Sequence, residues 1–326
     1  MNEEEIGIGV IGLGMGANRC EMVCHTQGAR LVAVADINAE RAERIANKHN
    51  VEWYTDYHCL LERDDVDVVY IMTPSGLHEE MSVEAAKAGK HVIVTKPIEV
   101  TLEKADRMID ECTKKGVKLA VDFEQRYVAD NVKIWRAIRE GKLGKLILGE
   151  VRMKWYRSQE YYEGWHGTWE LDGGGSLINQ TIHWIDLLQW FMGPVETVFG
   201  HTGVFAHKIE TEDLGAAILT FRNGAVGTIL GTTTYHTDSP PRIEIHGDRG
   251  SISTSNNRIE LWEFTDGYQP EEIPEGSPQN VVEDMVSALK EDRNPRVSGR
   301  EGRKSLEIVL AIYRSARTKK VVKLPL

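Results

Sequence analysis

The chain has 326 residues, of which 41% are hydrophobic, 27% charged and 7% aromatic. That length suggests about two domains, and the composition excludes collagen-like, low-complexity and wholly disordered chains. Its 39 basic and 50 acidic residues give a net charge of −11 with His neutral. An acidic surface repels phosphate backbones, so no nucleic-acid partner is expected.

The first 122 residues alternate short apolar runs with amphipathic stretches. Strands are expected at Ile6–Ile11, Leu31–Ala35, Val66–Met72, His91–Val94 and Val117–Val121. Helices are expected near Ala17–Thr26, Ala39–Asn50, Glu79–Ala88 and Leu102–Lys115, with Gly28, Gly89 and Gly116 placed as C-terminal caps. Such alternation, with near-continuous apolar strands, predicts a doubly wound parallel sheet. Beyond residue 125 the pattern changes: a helix at Asp130–Glu140, a strand at Lys145–Trp155, a loop rich in Tyr, Trp and Gly, then a helix at Leu177–Phe191. Strands dominate from Val195 to Phe264, with a hairpin turning at Asn223-Gly224. Helices near Val281–Glu291 and Gly302–Ala316 and a short strand, Val321–Leu324, follow. The expected fold is α/β: a Rossmann domain over residues 1–124 and a domain with a largely antiparallel open sheet over 125–326, the last helix and strand being candidates to pack back on the first.

No apolar run approaches the roughly 18–20 residues of a membrane-crossing helix. The N-terminus, Met1-Asn2-Glu3-Glu4-Glu5, is acidic where a signal peptide is basic. A cytoplasmic protein with no membrane partner is expected. Cys20, Cys24, Cys59 and Cys112 form no C-x-x-C pair, which fits reduced thiols, and no metal is expected.

Gly12-Leu13-Gly14-Met15-Gly16-Ala17 follows the first strand as G-x-G-x-x-A. Gly12 permits the tight turn, Gly14 lets the backbone approach a pyrophosphate, and Ala17 is small enough for close helix–strand packing. The second strand ends in Asp36, 24 residues after Gly12, followed by Ile37. A carboxylate there accepts hydrogen bonds from an adenosine ribose and disfavours a 2′-phosphate. NAD is therefore expected, with NADP kept open because Arg41 lies near. Thr73, Pro74, Ser75 and His78 follow the next long strand, at the end where such sheets bind ligands. Lys96 follows Thr95 at the tip of another strand, where a lysine beside the cofactor can hydrogen-bond a substrate oxygen.

Asp172-Gly173-Gly174-Gly175-Ser176 leads into a largely apolar helix, with Ser176 the expected cap. Asn179, His183 and Asp186 follow at i, i+4 and i+7 and share one face. That stripe is either a hydrogen-bonded core network or a site. Trp165, among crowded aromatics, can stack on a sugar ring or pack at an interface. Arg126 and His166 favour an anionic substrate such as a uronate or nucleotide sugar, or form an internal salt bridge.

Taken together, Gly12–Ala17, Asp36, Thr73–His78, Lys96-Pro97, Gly173–Gly175, His183-Trp184-Ile185-Asp186 and the tail Arg314–Thr318 make the chain resemble the Gfo/Idh/MocA oxidoreductases, the glucose–fructose oxidoreductase and inositol dehydrogenase family. The resemblance implies NAD(P)-linked oxidation or reduction of a carbohydrate, cyclitol or related polyol, and a homodimer or homotetramer built on the antiparallel sheet. It matches Lys96 to the family's active-site lysine and His183 to its acid/base histidine. Two positions depart from the pattern: Thr95 stands where a Glu is usual, and Asn179 where inositol-dehydrogenase-like members carry Asp. An enzyme using bound NAD only transiently, and a non-catalytic nucleotide sensor, are the alternatives.

Overall fold

Near-continuous apolar runs build the first sheet. A computed structural model describes residues 5–326, which divide into two compact units: residues up to Asp122 together with Pro278–Arg303, and Phe123–Ser277 together with Lys304–Leu326.

In the first unit, strand β1 (Ile6–Ile11), α1 (Gly16–His25), β2 (Ala29–Ala35), α2 (Ala39–His49), β3 (Glu52–Tyr54), α3 (His58–Leu61), β4 (Val68–Ile71), α4 (His78–Lys87), β5 (His91–Thr95), α5 (Leu102–Lys115) and β6 (Leu119–Asp122) follow in turn. Strand order is β3-β2-β1-β4-β5-β6, and every pairing is parallel. This is the doubly wound dinucleotide-binding order, with its crevice at the carboxyl ends of the strands. Val10, Val34, Val69, Ile93 and Val121 are fully buried, as strands covered on both faces require. Gly116 closes α5 with φ +69°, the left-handed cap expected there.

In the second unit, α6 (Ala129–Arg139) and β7 (Leu146–Tyr156) precede a π-helical turn, Ser176–Thr181, which runs into α7 (Ile182–Met192). Strands β8 (Val195–Gly203), β9 (Leu214–Phe221), β10 (Val226–Thr232), β11 (Thr234–Gly247), β12 (Gly250–Ser255) and β13 (Arg258–Phe264) follow. Next, α8 (Val281–Lys290) rejoins the first unit, where it lies against β2 and β6. Helix α9 (Gly299–Thr318) and β14 (Val322–Lys323) end the chain.

The second sheet has the order β13-β12-β11-β7-β10-β9-β8-β14. Its pairings are antiparallel except β7 with β10, which is parallel. One face is buried: Val151, Val198, Leu219, Ile229 and Ile243 are at most 2% exposed. A methyl at Gly149 meets Leu188 and Met192 of α7, and one at Gly200 meets Ile312 of α9, so both helices cover this face. The other face is not covered by a helix of this unit and carries Phe199 and Ile218, cross-strand partners 47% and 57% exposed.

Several expectations shift. Strand β3 was not foreseen, being three residues long on a sheet edge. The final strand pairs with β8 of the second unit, while the chain that returns to the first unit carries α8. The helix expected from Leu177 begins as a π turn.

Candidate active site

Gly12 turns the chain at φ +86°, and a methyl there lies 2.8 Å from the Met72 carbonyl oxygen. Around Gly14 a methyl meets nothing within 4 Å, so the backbone is open to a ligand on that side. The close helix–strand packing expected of Ala17 falls on Gly16, where a methyl comes within 3.1 Å of Met72 Cβ; Ala17 itself is half-exposed. Asp36 is locked to this turn: Leu13 N donates to its Oδ2 at 2.7 Å and Asn38 N to its Oδ1 at 2.8 Å. Arg41 pairs with the same carboxylate at 3.2 Å. Two apolar side chains flank the turn in solvent, Met15 (75% exposed) and Ile37 (95%). A glycine turn opening a helix that has no side-chain cap, with a carboxylate alongside, suits a dinucleotide.

After β4, Ser75–Leu77 form a single 3-10 turn, and the Ser75 side chain is buried. His78 corrects an expectation. It is fully buried, with Nε2 3.0 Å from the Thr73 carbonyl and Nδ1 3.0 Å from that of Pro97. Burial, reinforced by the Lys96 charge, outweighs the carbonyl contacts and pushes its pKa down to about 4. His78 is therefore a neutral ring with one N–H to donate to one of the two carbonyls, packed between the loop after β4 and the one after β5, and its side chain presents no surface to a cofactor. Lys96 follows β5 directly and precedes a cis peptide to Pro97. Glu99, unmarked in the sequence reading, is fully buried with its carboxyl pKa raised by burial. Lys104 bonds it and the Gly76 carbonyl, closing the same corner.

In the second unit, Arg126 and Asp186 are both 1% exposed and joined by two bonds of 2.7 Å, Nε to Oδ2 and Nη2 to Oδ1. The Trp190 ring lies 5.2 Å from the guanidinium. Of the alternatives at Arg126, the structure shows the internal salt bridge. The pair joins the 3-10 turn Glu124–Tyr127 to α7, which makes Arg126 an internal partner rather than a substrate contact and Asp186 part of a core network.

Asn179, on the π turn, donates to Asp172 Oδ1 at 2.5 Å and lies 3.2 Å from His166 Nδ1. The His166 ring, 23% exposed, stacks on Tyr161 (4.4 Å) and lies tilted against Trp165 (3.8 Å). Arg157 sits over both Trp155 and Tyr161. His183, in the first turn of α7, meets the edge of Phe123 at 5.9 Å. The structure thus gathers Asn179, His166 and Trp165 into one cluster with Asp172 and Tyr161. Ser176 does not cap the helix; its hydroxyl donates to the Gly231 carbonyl at 3.3 Å. Glu212 takes the free N–H groups instead.

Residues 6–123 match the oxidoreductase family with an NAD-binding Rossmann fold, and residues 132–253 match the GFO/IDH/MocA C-terminal domain. The chain belongs to the Gfo/Idh/MocA oxidoreductase family. Its first unit is an NAD-binding Rossmann domain, in keeping with the geometry at Gly12 and Asp36. Among solved structures, this family member is similar to the WlbA dehydrogenase from Bordetella pertussis in complex with NADH and UDP-GlcNAcA: 34% identity, TM-score 0.90, 99% of each chain covered. It is similar to the WlbA dehydrogenase of Chromobacterium violaceum, crystallised with the same two molecules: 32% identity, TM-score 0.91, with 100% of this chain and 98% of that one covered. Among curated proteins it is 29% identical to myo-inositol 2-dehydrogenase of Thermotoga maritima, over 97% of this chain and 98% of the relative.

Proposed function

We propose that the protein oxidises a secondary hydroxyl of a sugar, cyclitol or sugar derivative to a ketone, with Lys96 and His183 carrying the chemistry. The supporting observation is the head of α7. There a polar cluster of Asn179, Asp172 and His166 precedes His183, in a chain whose other unit binds NAD. When bound, NAD accepts the carbinol hydride. His183 takes the hydroxyl proton, imidazole being a side chain that can both accept and return a proton. Lys96 hydrogen-bonds the reacting oxygen and stabilises the negative charge that grows on it. Asn179, already aimed by Asp172, holds a neighbouring hydroxyl; an amide cannot act as a base, so proton transfer falls to His183. Gly12, Gly14 and Leu13 hold the dinucleotide through their backbone, and Asp36 the adenosine ribose. Met15, Ile37, Thr73, Pro74 and Thr95 line its remaining length.

The finer substrate reading is a nucleotide-linked uronate. Two relatives of similar size, 34% and 32% identical, were crystallised with UDP-GlcNAcA. With Arg126 committed to Asp186, Arg157 on its aromatic bed of Trp155 and Tyr161 is the cation to meet the anionic group. The protein works as a homo-oligomer through the uncovered sheet face around Phe199, Ile218 and Val226. Absorbance at 340 nm, with monosaccharides, inositols, glycosides and nucleotide sugars each offered with NAD and with NADP, tests the reading. Reduction of NAD by a member of the panel is expected. Substrate consumption without net reduction points to transient cofactor use, and no response from any carbohydrate overturns the proposal.

A further inference from the structure

The π turn that carries Asn179 begins without a cap of its own. Gly175, Ser176 and Leu177 present three successive N–H groups there, the unsatisfied donors of a helix start. All three end on one residue 35 or more positions away: Glu212 Oε2 accepts from Gly175 N (3.0 Å), its Oε1 from Leu177 N (2.8 Å), and its carbonyl from Ser176 N (3.0 Å). Tyr313 of α9 donates to the same Oε1 at 2.9 Å.

The fit leaves no slack. A methyl at Gly175 falls 1.8 Å from the Glu212 carbonyl oxygen, and one at Gly174 falls 2.1 Å from the Tyr313 hydroxyl. Downstream, Thr181 Oγ1 donates to the Ser176 carbonyl at 2.7 Å, bracing the wide turn. Wide turns of this kind concentrate at functional sites because they re-aim side chains. His183 lies two residues beyond Thr181.

From this geometry we infer that Glu212 is a positioning residue: its carboxylate, held by Tyr313, sets the start of the helix and thereby the orientation of Asn179 and His183. This rests on the reading of His183 as the proton carrier. The clamp needs an ionised carboxylate, since its partners at Gly175 and Leu177 only donate; a proton on Glu212 opposes one of them. Complete burial pushes the Glu212 pKa up to about 7 against the pull of its hydrogen bonds. The titratable groups facing it are themselves acids. From α9 comes Tyr313, whose phenol is pushed well up by burial and by Glu212; from the loop after β7 come Tyr162, pushed to about 12, and Asp172; Asp213 adjoins it in sequence. The clamp therefore loosens as pH falls through about 7.

The test is NMR of protein carrying 13C at histidine Cε1, with the His183 signal assigned by its loss in His183→Gln and followed from pH 5.5 to 9. In wild type the signal is expected to report a step near pH 7 that follows Glu212. Glu212→Gln should abolish that step. Tyr313→Phe removes a donor to the carboxylate while keeping the charge, and should move that step to higher pH; this variant decides the matter if the Gln variant does not fold. A His183 curve unchanged in either folded variant overturns the clamp. The readout needs no substrate, so a failed redox assignment, seen as unimpaired turnover in His183→Gln, is distinguishable from a failed clamp.

Discussion

Replacing Asp36 with Ala probes the cofactor reading at the point where its geometry is most specific. In the free protein the carboxylate accepts from Leu13 N at 2.7 Å and Asn38 N at 2.8 Å. Losing an acceptor for a buried N–H costs about 1–3 kcal/mol, so a lower melting temperature is expected. In the complex a ribose hydroxyl also loses a charged acceptor, a further 1.5–3 kcal/mol or so. At about 1.4 kcal/mol per decade that is roughly a 10- to 150-fold rise in Kd for NADH. The Arg41 side chain is 40% exposed, so its pair with Asp36 contributes at most about 1 kcal/mol. If Asp36 holds the ribose, its loss also removes the negative charge that opposes a 2′-phosphate, and the preference for NADH over NADPH should shrink by about tenfold, the equivalent of about 1.4 kcal/mol. Fluorescence titrations with NADH and NADPH on wild type and Asp36→Ala, beside a melting curve, measure all three effects. Coincident NADH curves in a variant that melts earlier would refute the ribose assignment while leaving the structural role of Asp36 intact.

His183→Ala should lower kcat at least about 100-fold while the Kd for NADH stays within twofold; steady-state kinetics with an equilibrium titration check the split. Gly175→Ala drives a methyl into the Glu212 carbonyl, and a loss of about 1–3 kcal/mol or more is expected from denaturant unfolding. His78 has a folded pKa of about 4 against 6.5 for the free ring, so the unfolded chain binds the extra proton. Stability should fall as pH drops from 6.5 towards 4, by about 3 kcal/mol, and His78→Asn should flatten that slope in urea titrations. Ile218→Glu places a charge on the uncovered sheet face and should shift the molar mass seen by light scattering to that of one chain.

Much of this was legible in the sequence, for identifiable reasons. The parallel sheet announces itself because strands buried on both faces are apolar throughout, as Val66–Met72 and His91–Val94 are. Gly12 and Asp36 stand out because spacing along the chain fixes them near each other. Contacts made across the chain were less visible. Nothing local indicates that Arg126 meets Asp186 60 residues on, or that Glu212 displaces Ser176 as the cap of the helix. The signals available were weak: an acidic pair, Glu212-Asp213, opening an apolar strand, and three glycines in a row, which mark a close approach without naming the partner. His78 looked like a ligand contact because it sits in a binding loop. Its burial comes from α4, which points the ring inward between two carbonyls.

The most direct measurement is the fate of the carbinol hydrogen. A responding carbohydrate deuterated at the oxidised carbon is incubated with NAD, and the recovered cofactor is weighed by mass spectrometry. One deuterium per reduced nicotinamide is the result expected if the carbon–hydrogen bond delivers its hydride to NAD. Product formed with the label left in the sugar or lost to water, and none in the cofactor, would contradict direct transfer.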